Sequence, residues 1–135
     1  MKIEILQELT LEREAFEARM TITNGVPGVA LTDLGVDIWF KDKSNATVRA
    51  TTDPNDLSAK FFWRHQTGSG IPVSIPGESS AKILWLIIPA PGAAGQNPQG
   101  ELYFVGATLR YRAGGEDQEV EVSPDSIYVK PMPSL

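Results

Sequence analysis

Residues Arg13–Thr23 read Arg-Glu-Ala-Phe-Glu-Ala-Arg-Met-Thr-Ile-Thr. Apolar and polar side chains alternate here, and the apolar ones that would share one face are Phe16, Ala18, Met20 and Ile22. Because successive side chains of a strand point to opposite faces of a sheet, this period of two predicts a half-buried β-strand. A helix over Leu6–Arg19 is the alternative on composition, but the β-branched end of the stretch favours the strand.

Similar short segments follow, separated by proline, glycine and asparagine clusters that are typical of turns. The further predicted strands are Leu34–Lys41, Ala46–Thr51, Ala59–Arg64, Ala81–Ile88, Glu101–Ala113 and Gln118–Val122. Apolar residues on both faces of Ala81–Ile88 predict a central strand covered on both sides. Ser123–Ser126 is predicted to be a turn. Seven to nine such strands predict an all-β protein, an immunoglobulin-like antiparallel β-sandwich.

Composition limits the classes of function. The chain has 135 residues, which is one domain by length, and 41% of them are hydrophobic. Its net charge of −5 argues against nucleic acid as a partner, since such proteins concentrate lysine and arginine. No apolar run approaches the ~18–20 residues of a membrane span, so no membrane insertion is expected. The absence of cysteine excludes disulfides and cysteine-ligated zinc.

The sequence ends in a proline-rich stretch that follows a strand-like segment. Strand-like residues Ile127–Val129 lead directly into Lys130–Leu135, which reads Lys-Pro-Met-Pro-Ser-Leu. Proline has no N–H to donate to a sheet and favours an extended spacer. We therefore predict a β-sandwich module over residues 1–130 and a Pro-rich linker over 131–135, as in one module of a longer chain. A small self-contained protein with a proline tail is the alternative.

Several segments together resemble a known class of module. They are Thr23–Gly25, Leu34–Phe40, Ser80–Pro89, the Gly-rich loop and Tyr128–Pro133. Their order is similar to that of immunoglobulin-like β-sandwich modules in very large bacterial surface or secreted proteins. The resemblance covers most of the chain and carries no catalytic signature. It implies a spacer or adhesive unit outside the cell, at the bacterial surface, whose partners are neighbouring modules of the same chain, and a cell-surface protein or glycan.

Catalysis is not expected from the residues themselves. His65 is the only histidine, and no Gly-x-Ser-x-Gly nucleophile elbow accompanies it. The seventeen acidic residues show no pattern that would pair two carboxylates for glycoside hydrolysis. The sequence therefore predicts a protein that is not an enzyme.

One loop could hold a metal ion. Asp53, Asn55 and Asp56 lie within four positions and offer the oxygen ligands that calcium prefers, so they are the candidate calcium site. The loop lacks the spacing of an EF-hand, and Asx residues beside a proline also form turns without any ion. No other cofactor is expected.

Three tryptophans could offer a flat apolar face to a sugar ring. Trp85 lies inside an apolar strand and is expected to be packed in the core. Trp39 lies on the face opposite the core residues of its strand, and the position of Trp63 is ambiguous. Trp39 and Trp63 are therefore the candidate glycan platform, and a carbohydrate-binding module is the alternative function.

Overall fold

A computed structural model describes residues 3–5, 7–66 and 70–131. Within those ranges the chain forms eleven strands and no helix. The strands are β1 (Ile3–Ile5), β2 (Leu9–Leu11), β3 (Phe16–Asn24), β4 (Leu31–Asp42), β5 (Thr47–Val48), β6 (Ala50–Thr51), β7 (Phe61–His65), β8 (Ser74–Ile75), β9 (Ser79–Pro89), β10 (Glu101–Ala113) and β11 (Glu116–Lys130). No helix able to cross a bilayer is found in these ranges.

The strands form two sheets around one hydrophobic core. One sheet has five strands in the order β1-β3-β9-β7-β6, and the other has the order β2-β11-β10-β4-β5, with β8 also paired to β4. The described strands pair antiparallel except β2 with β11 and β6 with β7. The fold is thus an immunoglobulin-like antiparallel β-sandwich, which confirms the predicted class. The strand count exceeds the predicted seven to nine because the predicted strand Ala46–Thr51 is divided into β5 and β6, and because β2 and β8 were not predicted.

The apolar and polar side chains that alternate in the sequence are the side chains that point into and out of the core in the sheets. The inward residues of β3 are at most 2% exposed, and they are Phe16, Ala18, Met20 and Ile22. A strand therefore forms here rather than the alternative helix. β9 pairs with β3 and β7 at the centre of its sheet, and its inward Trp85 is buried as expected. Its outward leucines are only half-buried, so the central strand is fully covered on one face and not on both.

Three aromatic side chains join the two sheets through the core. The rings of Phe40 on β4 and Phe61 on β7 stack with centroids 4.7 Å apart, and Tyr103 on β10 meets Phe61 edge-on at 4.9 Å. The Tyr103 hydroxyl donates a hydrogen bond to the carbonyl of Ala93 in the loop between β9 and β10. Burial raises the pKa of Tyr103 to about 12, with a smaller contribution from nearby carboxylates including Glu101. The phenol therefore stays protonated and keeps this bond at neutral pH.

The predicted turn at Ser123–Ser126 is wrong, because β11 continues through it. Val122 pairs with Ala107 and Asp125 pairs with Val105, so two residues of β11 face one residue of β10. This is a β-bulge, and it places Pro124 where a missing N–H costs no ladder hydrogen bond.

The first strands divide between the sheets and fasten the chain to its last strand. β1 pairs with β3 in one sheet, whereas β2 pairs in parallel with the end of β11 in the other. Three hydrogen bonds join this first part of the chain to β11. The Tyr128 N–H donates to the Glu8 carbonyl at 3.0 Å, and the Glu12 N–H donates to the Lys130 carbonyl at 2.9 Å. The Ile5 N–H donates to the Asp125 carboxylate at 2.8 Å. Most of the predicted 131–135 linker lies outside the described residues, and this domain boundary stays a prediction.

The Tyr103 bond predicts a measurable loss of stability. Tyr103→Phe leaves the Ala93 carbonyl without its donor, and we expect the free energy of unfolding to fall by about 1 kcal/mol in urea denaturation. Because the folded-state pKa is raised, the phenol's contribution is present below its ordinary value near 10 and is lost as pH rises through about 12. Tyr128→Phe, at a half-exposed tyrosine, is the control and should change stability by less than about 0.5 kcal/mol. Equal losses in both variants would contradict the assignment.

Candidate functional site

The chain changes sheets at Arg49, and this crossing creates the candidate site. β5 pairs with β4 only at Phe40 and Lys41, after which β6 pairs with β7 in the opposite sheet. The Arg49 carbonyl accepts a hydrogen bond from Lys60 N–H at 3.0 Å, which holds the crossing in place. The predicted returning strand Ala46–Thr51 is therefore two short strands in different sheets.

As a result, most of the outer edge of β4 has no neighbour. β8 pairs with β4 at Leu31 and Thr32, and β5 pairs at Phe40 and Lys41, which leaves residues 33–39 without a ladder partner on this side among the described residues. We call residues 33–39 the open segment. The edge of β7 is also unpaired at 63–65 in the described structure, since β6 reaches only Phe61 and Phe62. The flank of the sandwich is thus open in both sheets.

The side chains that point inward at this flank are apolar. Val36 is buried, whereas Leu34 and Ile38 are half-buried and pack against the core, as does Trp63 from the opposite sheet. A shallow cavity of about 560 Å³ lies at the β5 end of the open segment, and its lining includes the polar residues Thr47 and Arg49 beside apolar ones such as Ile38 and Trp63. The inward side chains of the open segment and Trp63 thus form an apolar recess between the sheets, and its β5 end is partly polar.

His65 sits at the same flank. Its ring lies 5.8 Å from that of Trp63 and 6.0 Å from that of Trp85. Its buried Nδ1 atom has no hydrogen-bond partner in the described structure, and burial lowers the pKa of this histidine. His65 is therefore neutral at physiological pH, and it packs at this edge as the last residue of β7.

The outward side of the open segment is acidic and aromatic. Asp33 and Asp37 are exposed, and Asp37 forms an ion pair with Arg110 at 2.8 Å. The ring of Trp39 lies against Gly106 of β10, where any Cβ would collide with it. The Lys41 ammonium lies over the same ring, 4.6 Å from its centroid. Carboxylates and an aromatic face that already attracts a cation share this surface.

The candidate calcium loop supports the sheet crossing. Asp56 receives an Arg49 guanidinium hydrogen bond at 2.7 Å, together with bonds from the backbone N–H and hydroxyl of Ser58. Asp53 accepts from the Asn55 N–H at 2.9 Å, as in an Asx turn. The Ser58 bonds, and then Arg49, lower the pKa of Asp56 to about 2. The carboxylate stays ionised and fixes the side chain of the crossing residue.

These contacts favour the turn interpretation of the loop over the metal site. The oxygens of Asp53 and Asp56 already accept hydrogen bonds from the loop itself, and a guanidinium next to Asp56 opposes a second cation. The groove beside the loop is lined mainly by apolar residues such as Leu57 and Phe62. No cluster of three histidine, cysteine or acidic residues is found in the part of the chain that the structure describes. Calcium binding at Asp53, Asn55 and Asp56 stays a prediction.

The two candidate tryptophans do not form one platform. Trp39 points outward from the six-stranded sheet, whereas Trp63 points inward from the five-stranded sheet and packs against the core. Both are half-buried. Gly106 beneath Trp39 and Lys41 above it limit the approach of a sugar to that ring. Glycan binding at Trp39 or Trp63 stays a prediction.

Sequence reasoning missed the open segment. The signal that could have found it is length, because the six residues Ala46–Thr51 cannot pair with the whole edge of the predicted eight-residue strand Leu34–Lys41. The acidic outward positions were visible in the alternation of the strand, but their position at an unpaired edge was not.

Comparison with known proteins gives only fold-level likenesses. No protein-family model and no curated protein matches the chain. The crystal structure of the periplasmic chaperone SfaE is similar over 97% of this chain and 57% of its own, with 12% identity and a TM-score of 0.46. The GAE domain of yeast GGA1 is similar over 93% of this chain and 98% of its own, with 11% identity and a TM-score of 0.45. This chain thus spans little more than half of the chaperone.

The Asp56 contacts predict a pH-dependent stability effect. Asp56→Ala should lower the midpoint of thermal unfolding at neutral pH because it releases Arg49 and the loop. The folded pKa is depressed, so the carboxylate's contribution is present above its ordinary pKa of 3.8 and is lost as pH falls towards about 2. Unfolding measured between neutral pH and pH about 2 should therefore show the variant and the parent protein converging.

The control for this experiment is Glu14→Ala, at an exposed acid for which the structure shows no side-chain hydrogen bond. It should leave the midpoint nearly unchanged at every pH. A constant difference between Asp56→Ala and the parent protein across the range would contradict the role of the carboxylate. Stabilisation of the parent protein by millimolar calcium, absent in Asp56→Ala, would instead support the metal site.

Proposed function

We propose that the chain is a non-catalytic structural or adhesive module of a large extracellular bacterial protein, where it serves as a spacer or interaction unit beside neighbouring modules. The observation that carries the spacer role is the parallel pairing of β2 with the end of β11. Tension applied to the two ends of the module would pull these strands in opposite directions along their length. The hydrogen bonds between them would then resist together rather than opening one by one.

The position of the bonds strengthens this interpretation. The Glu12–Lys130 bond lies beyond the paired residues of β2, and the Tyr128–Glu8 bond lies at their other end. The Glu12 carboxylate also accepts from Gly92 N–H at 2.7 Å and Ala94 N–H at 3.0 Å, which ties the long loop to the same place. The ends of the described chain are therefore fastened to each other and to the body.

The non-catalytic part of the proposal has a physical basis in how the polar groups are used. The carboxylates of Asp42, Asp53 and Asp56 accept hydrogen bonds within their own turns. His65 is wedged between two tryptophan rings, and no acid or nucleophile contacts its buried nitrogen. At that nitrogen the histidine lacks the hydrogen-bonded partner that orients a general acid or base.

Single-molecule force measurements test the spacer role. Glu12 is the second residue of a turn that Glu14 N–H closes onto the Leu11 carbonyl at 3.1 Å, with Arg13 at a φ of 68°. This is type II geometry, in which proline is favoured at the second position. Glu12→Pro is therefore compatible with the turn, and it removes the N–H that donates to the Lys130 carbonyl. We expect a tandem array of this variant to unfold at lower force than the parent protein.

Glu12→Ala is the matched control, because it also removes the carboxylate but keeps the N–H. The force for Glu12→Ala should lie between those of the parent protein and Glu12→Pro. Equal unfolding forces for the two variants would mean that the bond to Lys130 does not resist tension, and the spacer role would lose its support.

Location needs a separate test. An antibody raised against the module should label intact cells of the source bacterium if the module is extracellular. Labelling only after the cells are permeabilised would contradict that part of the proposal, whatever the force measurements show.

A further inference from the structure

We propose that the open segment of β4, residues 33–39, binds a short extended peptide in which basic and apolar residues alternate. The peptide adds one strand to the six-stranded sheet. The inference adds a binding site to the module and does not depend on the spacer role. It combines three observations: unpaired backbone, an apolar recess and an acidic outward face.

The backbone of the open segment is a template for one strand. Asp33 has a φ of 51° and lies in a β-bulge, where the register with β10 shifts between Thr32 and Gly35, so the extended part is residues 34–39, or about 20 Å at 3.3 Å per residue. Strand β8 bounds the segment at Thr32 and β5 bounds it at Phe40, and on the side away from β10 no backbone hydrogen bond from another described segment reaches it. Unpaired edge groups of this kind accept an incoming strand through main-chain hydrogen bonds.

The same boundaries exclude a second copy of β4 as the occupant. Antiparallel pairing of two copies about Val36, the midpoint of the open segment, would place residue 40 of one copy opposite residue 32 of the other. At that point β5 of the first copy would overlap residues 31 and 32 of the second, and β8 of the second would overlap residues 40 and 41 of the first. Only a strand without flanking partners of its own fits between them, and it can be no longer than the segment itself.

The inward face selects apolar residues at alternate positions. A strand beside residues 34–38 points every second side chain towards Leu34, Ile38 and the ring of Trp63. The cavity of about 560 Å³ at the β5 end can take such a side chain. Burial of these half-exposed residues by the peptide would contribute favourably, by about 25 cal/mol per Å² of apolar surface removed from water.

The outward face selects positive charge at the other positions. Asp33 and Asp37 lie on this face, and both carboxylates are exposed. Asp37 already pairs with Arg110 at 2.8 Å, so a peptide cation beside it would share that carboxylate. Side chains directly opposite each other across an antiparallel pair interact, so lysine or arginine in the peptide would meet these groups. The net charge of −5 favours the same sign of partner.

The experiment uses the capped peptide Ac-Lys-Val-Lys-Val-Lys-NH₂ as the probe, titrated into the isotope-labelled protein and followed by NMR and calorimetry. We expect saturable binding, with amide shifts concentrated in residues 33–39 and in the indole signal of Trp63. The charge-reversed peptide Ac-Glu-Val-Glu-Val-Glu-NH₂ should bind at least about tenfold more weakly, because like charges then meet across the edge. A peptide N-methylated at its two valines should lose binding, because it cannot complete the ladder.

Variants locate the charge effect. Asp33→Asn with Asp37→Asn should weaken the lysine peptide about fivefold, as expected for two exposed charge pairs. Asparagine suits the φ of 51° at Asp33, so the bulge at that position is kept. Glu8→Gln with Glu14→Gln is the control, since it removes the same net charge beside β2 at the opposite edge of the sheet. This control should bind the peptide nearly as well as the parent protein.

Any of three results in the peptide titrations would overturn the proposal, as would one result for the free protein. One is the absence of saturable binding, and another is equal binding of the acidic, basic and N-methylated peptides. The third is shift changes centred away from residues 33–39, for example in the groove around Leu102 and Tyr128. Concentration-dependent dimer formation through β4, detected by light scattering, would also contradict it, because the argument excludes a second copy there.

Discussion

The structure depends on how the backbone hydrogen-bonding groups at the two edges of the sandwich are satisfied. At each edge a short stretch of chain passes from one sheet to the other. Strands β1 and β2 make this passage at the first edge, and β5 and β6 make it at the second. In the first passage, β2 pairs with β11 and hydrogen bonds flank that pairing at both ends. In the second passage, β5 and β6 each pair with only two residues, at one end of β4 and of β7. The first edge is therefore closed at the end of β11, whereas the second leaves residues 33–39 of β4 open. Along residues 116–127 the outer side of β11 also has no ladder partner among the described strands.

Both proposals follow from this asymmetry. At the first edge β2 pairs in parallel with the end of β11, which suits a module that transmits tension. The open edge leaves main-chain groups of β4 available, with an apolar recess on one side and carboxylates on the other. The core does not decide between these roles, because the stack of Phe40 and Phe61 and the edge contact of Tyr103 hold the sheets together at their centre. The functional difference therefore lies at the edges.

The sequence predicted what is decided locally. The alternation over residues 16–22 is a property of one strand, and it gave the strand, its buried face and the fold class. The bulge at Ser123–Ser126 was mistaken for a turn because serine, proline and aspartate suit both, and only the partner strand distinguishes them. The division of Ala46–Thr51 depends on contacts made after folding, including the ion pair of Arg49 with Asp56. The outward position of Trp39 followed from the alternation along its strand, whereas the contact of Lys41 with its ring could not be predicted from that alternation.

The central claim is that β2 is bonded to the end of β11, whereas residues 33–39 of β4 have an unpaired edge, and native-state hydrogen exchange on the free protein tests it most directly. The account predicts slow exchange for the amides of Tyr128 and Glu12, which donate between β11 and the first part of the chain. Along residues 33–39 it predicts alternation, since amides directed at β10 are protected while those directed at the open edge exchange as fast as amides in turns. Uniform protection of residues 33–39, comparable to that of β9, would show that this edge is covered and would contradict the account.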